Sequence, residues 1–241
     1  MTAPRTTLGR VRTLCIDTSA GTAVALHDDE GGVLARARSG DHRGHAERLA
    51  ALVAEVLESA GTSAGELDRV AVGTGPAAFT GLRVGLVSAL ALARARRLPA
   101  YGVSSLDLLA RETLDSHPGA TVLVAGDARR REVYWAPYRA LGDDDVEPLS
   151  GPAVGPAADA AAWLAAATGP VVVAGAGAAL YPDALPPSPG VPTEVDPAVL
   201  ARVVRARLVR AAAGADVSLG TEPLYLRRPD VSVAAPRKRA S

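Results

Sequence analysis

Two halves of the chain carry nearly the same order of predicted strands and helices. In the first half, short or alternating apolar runs predict strands at 11–17, 21–27 and 32–38, a helix at 42–60, a strand at 69–73, a helix at 81–97 and a strand at 100–103. The second half repeats this outline with strands at 121–125, 132–138 and near Val146, a helix at 157–167 and a strand at 171–173. Because a meander followed by β–α–β crossovers forms a mixed sheet covered by helices, the duplication predicts an α/β protein of two lobes, each with a mixed sheet flanked by helices.

The boundary between the two lobes is predicted near Ser104. It assigns residues 11–104 to an N-terminal lobe and residues 105–219 to a C-terminal lobe, which includes a strong helical pattern at 197–213. Residues 220–233 contain a short extended piece, for which we predict a return to the first lobe. The two ends, 1–10 and 234–241, are predicted to be flexible tails.

Composition and charge exclude several classes of protein. Hydrophobic residues make up 48% of the 241 residues and aromatic residues only 3%, so the core must consist of Val, Leu and Ala. The 26 basic and 26 acidic residues balance, which argues against a generally basic nucleic-acid binder. The single cysteine, Cys15, rules out an internal disulfide. Because the longest apolar run, 171–180, falls short of the ~20 residues of a membrane helix and the N-terminus lacks a secretory pattern, we expect a cytoplasmic protein with no membrane contact.

One glycine-rich loop, from Gly73 to Gly81, joins a predicted strand to the start of a predicted helix. Such a place favours an anion, and Gly75 and Thr80 are the candidate phosphate contacts. The spacing of a Walker A loop is absent, since no Lys-Ser or Lys-Thr pair follows. The competing interpretation, which we favour, is that these glycines make a tight turn and allow close packing.

Two aspartates occupy equivalent places in the two halves. Asp17, followed by Thr18, ends the first strand of the first half, and Asp127, followed by Arg129, ends the first strand of the second half. In a phosphate-handling fold with two lobes, a carboxylate there could hold a hydrated magnesium ion. The alternative is that these side chains only make the hydrogen bonds of the turns. No metal site is predicted, because His42 and His45 have no evident third or fourth ligand.

Four runs of residues together resemble one known family. They are Ile16 to Ser19 (IDTS), Gly73 to Gly85 (GTGPAAFTGLRVG), Asp127 to Tyr134 (DARRREVY) and Pro223 to Arg227 (PLYLR). This series resembles the bacterial TsaB (YeaZ) family, the dimerisation subunit of the complex that synthesises threonylcarbamoyladenosine in tRNA. Two departures stand out: Ala77-Ala78 replaces the family's usual Gly-Ser, and Arg131 replaces its usual glycine.

The resemblance implies a fold of the actin, Hsp70 and sugar-kinase superfamily and a subunit without catalytic residues. The related subunit TsaD shares this fold and carries a His-x-x-x-His metal pair, where the present chain has Ser104 to Leu109 (SSLDLL). Hydroxyl and aliphatic groups cannot replace two imidazoles around a transition metal. The implied role is to bind TsaD, with the ATPase TsaE joining them, while a threonylcarbamoyl group passes from threonylcarbamoyl-AMP to the adenosine beside the anticodon of ANN-decoding tRNAs. The chain would then need no cofactor of its own, and a nucleotide could lie at its junction with TsaD.

The resemblance also implies a partner surface on the first two helices of the N-terminal lobe, used with TsaD or with a second copy of the chain. Contact with tRNA would then be indirect, through the complex. The residues predicted to bind the partner are His45, Arg48, Leu49, Leu52, Leu82, Arg83, Leu86 and Leu90.

Two other functions fit the same fold. An ATP-dependent kinase or ATPase would use Asp17 and Asp127 for magnesium and the loop from Gly75 to Gly81 for phosphate. A metallopeptidase is the third alternative, against which the absence of a histidine pair argues.

Overall fold

The N-terminal lobe is built on a five-stranded sheet in the order β3-β2-β1-β4-β5. The computed structural model describes residues 10–40 and 45–227. The strands of this sheet are β1 (Arg12–Asp17), β2 (Thr22–Asp28), β3 (Gly32–Ser39), β4 (Arg69–Gly73) and β5 (Ala100–Val103). The first three strands pair antiparallel, and β4 and β5 add parallel to β1, with Leu14 opposite both Leu26 and Val70. The sheet is therefore mixed, as the meander and crossovers predict.

The C-terminal lobe contains a similar mixed sheet, in which two short strands pair with one long strand. Its strands are β6 (Thr121–Asp127), β7 (Glu132–Leu141), β8 (Asp145–Pro148), β9 (Ala153–Pro156) and β10 (Val171–Ala174). They are ordered β10-β6-β7-β8, and β8 and β9 pair with successive stretches of the same strand, β7. The parallel pair β6–β10 corresponds to β1–β4 of the first lobe. The predicted duplication, with two mixed sheets flanked by helices, is thus confirmed.

Among the described residues, six α-helices separate and cover the two sheets. They are α1 (His45–Ser59), α2 (Phe79–Arg96), α3 (Ser105–Ser116), α4 (Ala157–Ala166), α5 (Ala176–Leu180) and α6 (Val199–Ala212). Residues that alternate along β1 point to different cores: Leu14 and Ile16 pack with α1 and α2, whereas Cys15 packs with α6. A third core joins the far side of the second sheet to α4 and α5. The layers are consequently helix, sheet, helix, sheet and helix, with α3 and α6 in the middle.

Helix α3 and strand β9 are among the elements that the sequence did not predict. Helix α3 begins at Ser105, where no helix was predicted, and its N-cap is Ser104, whose side chain accepts a hydrogen bond from the backbone N–H of Leu106. Strand β9 follows β8 and was also not predicted. None of the helices within residues 10–40 and 45–227 combines the length and apolar character that a membrane span requires.

The C-terminal segment lies against the N-terminal lobe. The backbone N–H of Gly102 donates to the carbonyl oxygen of Leu219 over 3.0 Å, and that of Leu224 donates to Thr74 over 2.8 Å. Gly102 allows this approach, because a Cβ there would lie 2.1 Å from the carbonyl oxygen of Gly220. The predicted tails, 1–10 and 234–241, lie outside the described residues except for Arg10, as do positions 228–233 of the predicted return segment.

Candidate functional site

A cavity of about 410 Å³ lies between the two lobes. The N-terminal lobe contributes the β1–β2 turn and the start of α2, and the C-terminal lobe contributes the end of β6 and the 193–195 loop. Four of the six residues predicted to contact a nucleotide line it: Thr18, Thr80, Asp127 and Arg129. The other two, Asp17 and Gly75, do not line this cavity and instead hold its walls together.

Asp17 is buried, and each of its carboxylate oxygens accepts short hydrogen bonds. The backbone N–H and the hydroxyl of Ser19 donate to Oδ1 over 2.8 and 2.5 Å, and the Ser105 hydroxyl donates to Oδ2 over 2.6 Å. Gly73 packs against the same carboxylate so closely that a Cβ at this position would lie 1.9 Å from Oδ2. These contacts favour the interpretation in which Asp17 stabilises the turn and the junction of the lobes.

The loop from Gly73 to Gly81 is fixed by backbone hydrogen bonds. The carbonyl oxygen of Gly75 accepts from the backbone N–H of Ser105 over 2.7 Å and from the Ser104 hydroxyl over 3.2 Å. Gly75 has a φ of +85°, which glycine adopts without strain, and it precedes a cis peptide bond to Pro76. The glycines of this loop therefore serve a tight turn, as the favoured interpretation holds.

Asp127 lines the cavity and forms an ion pair with Arg129. Its Oδ1 accepts from the backbone N–H of Arg129 over 2.7 Å, and its Oδ2 lies 3.0 Å from the guanidinium of the same arginine. Nearby Tyr134 is buried, and desolvation, with a smaller contribution from Asp127, raises the pKa of its phenol. The structure thus pairs the two predicted site residues of the second lobe with each other.

The charged residues around the cavity are engaged in ion pairs within the chain. Arg129 is paired with Asp127, and Glu194, another lining residue, pairs with Arg38. Within the described ranges, no three His, Cys, Asp or Glu side chains lie close enough together to hold a metal ion. The chain's single lysine, Lys238, falls outside those ranges.

Comparisons with known proteins identify the family. The family model described as "TsaD: tRNA N6-adenosine threonylcarbamoyltransferase" matches residues 16–179. An uncharacterised protein of Mycobacterium tuberculosis strain H37Rv is 42% identical over 226 residues, which cover 92% of this chain and 94% of that protein. The Escherichia coli K12 tRNA threonylcarbamoyladenosine biosynthesis protein TsaB is 39% identical over 130 residues, which cover 54% of this chain and 55% of that protein. The structure of YeaZ from Pseudomonas aeruginosa aligns with a TM-score of 0.71 at 27% identity and covers 90% of this chain and 100% of that chain. The chain belongs to the TsaB (YeaZ) family.

The departure from the TsaB family pattern at Arg131 has a visible consequence. Arg129, Arg130 and Arg131 form the turn between β6 and β7, and their φ angles are +59°, +55° and +63°. This left-handed region is favourable for glycine and uncommon for other residues. An arginine thus occupies a backbone position for which the glycine of the TsaB family is conformationally suited.

The partner surface predicted from the TsaB family needs a correction. Leu49, Leu52, Leu82 and Leu86 are all buried in the core that α1 and α2 form with the first sheet. They cannot face a partner in this fold, because the side of each helix on which they lie packs against β-strands. Sequence periodicity identifies an apolar row but does not say which of two rows faces the sheet.

The other predicted partner residues differ in their surroundings. Leu90 is 38% exposed on the outer side of α2, and Arg48 is half-buried and donates to the hydroxyl of Ser39 over 3.1 Å. The side chain of His45 lies outside the described part of the structure, as does all of His42. The most exposed large apolar side chain of α2 is Val87, at 65%, which the sequence did not single out.

Arg83, the last predicted partner residue, belongs to an aromatic cluster that the sequence did not indicate. Its guanidinium carbon lies 3.6 Å from the ring centre of Phe79, and its Nε donates to the hydroxyl of Tyr225 over 2.9 Å. The two rings are 5.2 Å apart and inclined at 31°. The run PLYLR in the TsaB family pattern contains Tyr225, but only the folded chain shows that this tyrosine meets the start of α2.

Proposed function

We propose that this chain is a non-catalytic subunit in the synthesis of threonylcarbamoyladenosine in tRNA and acts by binding a TsaD-type partner. The Escherichia coli and Haemophilus influenzae relatives are both named tRNA threonylcarbamoyladenosine biosynthesis protein TsaB. The observation that carries the proposal is the set of hydrogen bonds that the Asp17 carboxylate accepts. This carboxylate was one of the two predicted magnesium ligands, but it does not line the cavity, and hydroxyl and backbone groups donate hydrogen bonds to both of its oxygens.

The start of α3 supports the same proposal. Ser105, Leu106 and Leu109 line the cavity at the place for which the family resemblance implies two metal-binding histidines in TsaD. Aliphatic groups there offer no ligand to a metal. The proposed transfer of a threonylcarbamoyl group from threonylcarbamoyl-AMP to the adenosine beside the anticodon is therefore assigned to the partner.

The α2 outer face is the surface that we propose for the partner. We define it by Arg83, Val87, Leu90, Ala91 and Arg94, which are exposed on the side of α2 away from the sheet. Val87 and Leu90 supply apolar area, and Ala91 allows another helix to approach closely. A TsaD-type chain is the proposed occupant, with a second copy of this chain as the alternative when it is alone; TsaE would join the complex without using this face.

The test is reconstitution with the TsaD of the same organism. We expect the two purified chains to co-elute in gel filtration, and we expect modification of an ANN-decoding tRNA to require both, together with threonylcarbamoyl-AMP and TsaE. Separate elution, or full modification without this chain, would contradict the proposal. Turnover of ATP or a peptide by the isolated chain would favour the kinase or peptidase alternative instead.

A further inference from the structure

The guanidinium group of Arg83 is held from two directions although the residue is exposed. Phe79 precedes Arg83 by one turn of α2, and the guanidinium carbon lies 3.6 Å from the centre of the Phe79 ring. The Nε of Arg83 donates to the hydroxyl of Tyr225 over 2.9 Å. The orientation of the guanidinium is therefore already fixed in the isolated chain.

Tyr225 reaches Arg83 because the C-terminal segment is anchored to the N-terminal lobe directly before it. The backbone N–H of Leu224 donates to the carbonyl oxygen of Thr74 over 2.8 Å. The ring of Tyr225 lies 5.2 Å from the ring of Phe79, the same ring that the guanidinium covers. These contacts place the Tyr225 hydroxyl where it accepts the hydrogen bond from Nε.

Two of the three guanidinium nitrogens of Arg83 remain available. Within the described residues, Nη1 and Nη2 have no hydrogen-bond or ion-pair partner, whereas Nε donates to Tyr225. The two Nη groups form one end of a planar fork, to which a carboxylate binds through two parallel hydrogen bonds. Because the side chain of Arg83 has already lost much of its conformational freedom, such a carboxylate binds at a smaller cost in entropy.

The neighbours of Arg83 on the α2 outer face indicate which kind of molecule supplies this carboxylate. Val87 and Leu90 follow Arg83 by four and seven residues on the same side of the helix, and they are 65% and 38% exposed. An arginine beside exposed apolar side chains is typical of the centre of a protein–protein contact. The phosphates of a nucleic acid would satisfy Arg83 but would leave both apolar side chains uncovered, which is why a protein is favoured.

We infer that Arg83 binds an aspartate or glutamate side chain of the TsaD-type partner, and that Tyr225 positions Arg83 for this contact. The inference rests on the proposed function, from which it takes the class of the partner. It adds the C-terminal segment to the elements that determine partner binding, since Tyr225 follows Arg83 by 142 residues.

Titration calorimetry of the full chain with the TsaD of the same organism tests the contact. We expect Arg83→Gln to bind TsaD at least tenfold more weakly, and Arg83→Lys to recover only part of this loss, because an ammonium group keeps the charge without the planar fork. Tyr225→Phe keeps the ring and removes the hydrogen bond to Nε, so we expect binding about threefold weaker. The double variant Arg83→Gln/Tyr225→Phe should bind no more weakly than Arg83→Gln alone, because Tyr225 acts through Arg83.

The matched control is Tyr181→Phe, which also removes one phenolic hydroxyl. Tyr181 follows α5 in the C-terminal lobe, and its hydroxyl has no hydrogen-bond partner in the part of the chain that the structure describes. This variant should bind TsaD as the unmodified chain does. Thermal unfolding should change little for the Arg83 and Tyr225 variants, since both residues are exposed, so weaker binding by these variants is not a result of misfolding.

NMR spectroscopy of the isolated chain tests the positioning role without a partner. The Nε–H signal of Arg83, identified by its loss in Arg83→Lys, should exchange slowly with water in the unmodified chain. In Tyr225→Phe this exchange should be at least tenfold faster, because the acceptor of the hydrogen bond is gone. An exchange rate that Tyr225→Phe leaves unchanged would overturn the positioning role.

The binding experiments separate failure of this inference from failure of the proposed function. TsaD binding that is unchanged in Arg83→Gln would overturn the inference and leave the proposed function intact. Weaker binding of a fluorescently labelled ANN-decoding tRNA by Arg83→Gln, with unchanged TsaD binding, would assign Arg83 to a phosphate and also overturn the inference. Failure of the unmodified chain to bind TsaD would overturn the proposed function together with the inference that rests on it.

Discussion

The hydroxyl of Ser105 donates a 2.6 Å hydrogen bond to Oδ2 of Asp17, which ties the end of β1 to the start of α3 across 88 residues of chain. Both residues are buried, and Gly73 closes the third side of the carboxylate. A buried carboxylate is stable only when its oxygens accept hydrogen bonds. The contact therefore converts an aspartate at the edge of a potential ligand cavity into a structural link between the lobes.

Substituting Gly73 tests this link. A Cβ at position 73 would lie 1.9 Å from Oδ2 and 2.9 Å from Cγ of Asp17, so either the strand or the carboxylate must move. We expect Gly73→Ala to lower the free energy of unfolding by about 1–3 kcal/mol, the range for overpacked cores. Urea unfolding measures the change. The control is Gly151→Ala, where a Cβ meets nothing within 4 Å, and equal stability of the two variants would contradict the packing argument.

Most strands of the two lobes, though not β9, could be predicted because their signals are local. Alternating residues and short turns mark β1 to β3, and Pro99 marks the end of α2. Helix α3 was missed because its leucines at 106, 108, 109 and 114 do not form one clean stripe. Buried between the two sheets, this helix meets apolar neighbours on several sides, and even Arg111 and Thr113 are buried. The available signal was Ser104 with Asp107 three residues later, a polar pattern typical of helix starts.

The candidate site was only partly predictable for a similar reason. Thr18, Thr80, Asp127 and Arg129 follow strand ends or open a helix, and equivalent strand ends of the two halves meet at one cleft. The partners that decide their roles come from distant parts of the chain, as Ser105 does for Asp17 and Tyr225 does for Arg83. Contacts between such distant residues leave no spacing pattern in the sequence, so the roles of these side chains could not be assigned before the fold was known.

If the α2 outer face binds a partner, a charged residue in place of Val87 should weaken that binding. We expect Val87→Glu to weaken binding to TsaD at least tenfold, because a carboxylate would be desolvated in an apolar contact. The stability of the isolated chain should change little, since Val87 is 65% exposed. Calorimetric titration of TsaD into the variant measures the affinity.

The control for this prediction is Val209→Glu. Val209 is also a helical valine, is 66% exposed and lies on α6 rather than on α2. The Val209→Glu variant should bind TsaD as the unmodified chain does. Equal affinity of the two variants would show that the α2 outer face is not the partner surface.

Cys15 should react with thiol reagents only when the chain unfolds. It is fully buried on β1, and burial raises the pKa of its thiol to about 12. The thiolate that reacts is therefore scarce in the native state. We expect labelling by a disulfide reagent at pH 8 to be limited by unfolding, and labelling in urea to be fast. Rapid labelling of the native chain would show that the layer between β1 and α6 opens.

The raised pKa of the Cys15 thiol makes the free energy of unfolding depend on pH in the alkaline range. The unfolded thiol loses its proton near its ordinary pKa of 9.0, whereas the native thiol keeps it up to about 12. Between these values the native state binds more protons than the unfolded state, so stability falls as the pH rises. Cys15→Ala should show a shallower decline of the unfolding free energy between pH 9 and 11 than the unmodified chain does.

Arg202 on α6 should contribute stability that disappears in acid. Its guanidinium donates to Asp115 over 2.7 and 2.8 Å and to Asp144 over 2.8 Å. Partial burial is the largest single influence and would raise the pKa of both aspartates, but the hydrogen bonds and charges of Arg202 and of a second arginine together outweigh it and hold both pKa values below the ordinary value. Because both aspartates are partly exposed and keep a second arginine partner, we expect Arg202→Gln to cost about 1–2 kcal/mol at pH 7.

The pH dependence of the destabilisation by Arg202→Gln distinguishes an effect of charge from an effect of packing. Carboxylates with a lowered native pKa stabilise the fold above their unfolded pKa, and this stabilisation is lost as the pH falls through the native value. The difference between Arg202→Gln and the unmodified chain should therefore shrink from pH 5 towards pH 2, as measured by urea unfolding. Arg139→Gln, which breaks a largely exposed pair with Glu147, should change stability little at any pH. A difference for Arg202→Gln that stays constant across this range would mean that Arg202 stabilises α6 by packing and not by its charge.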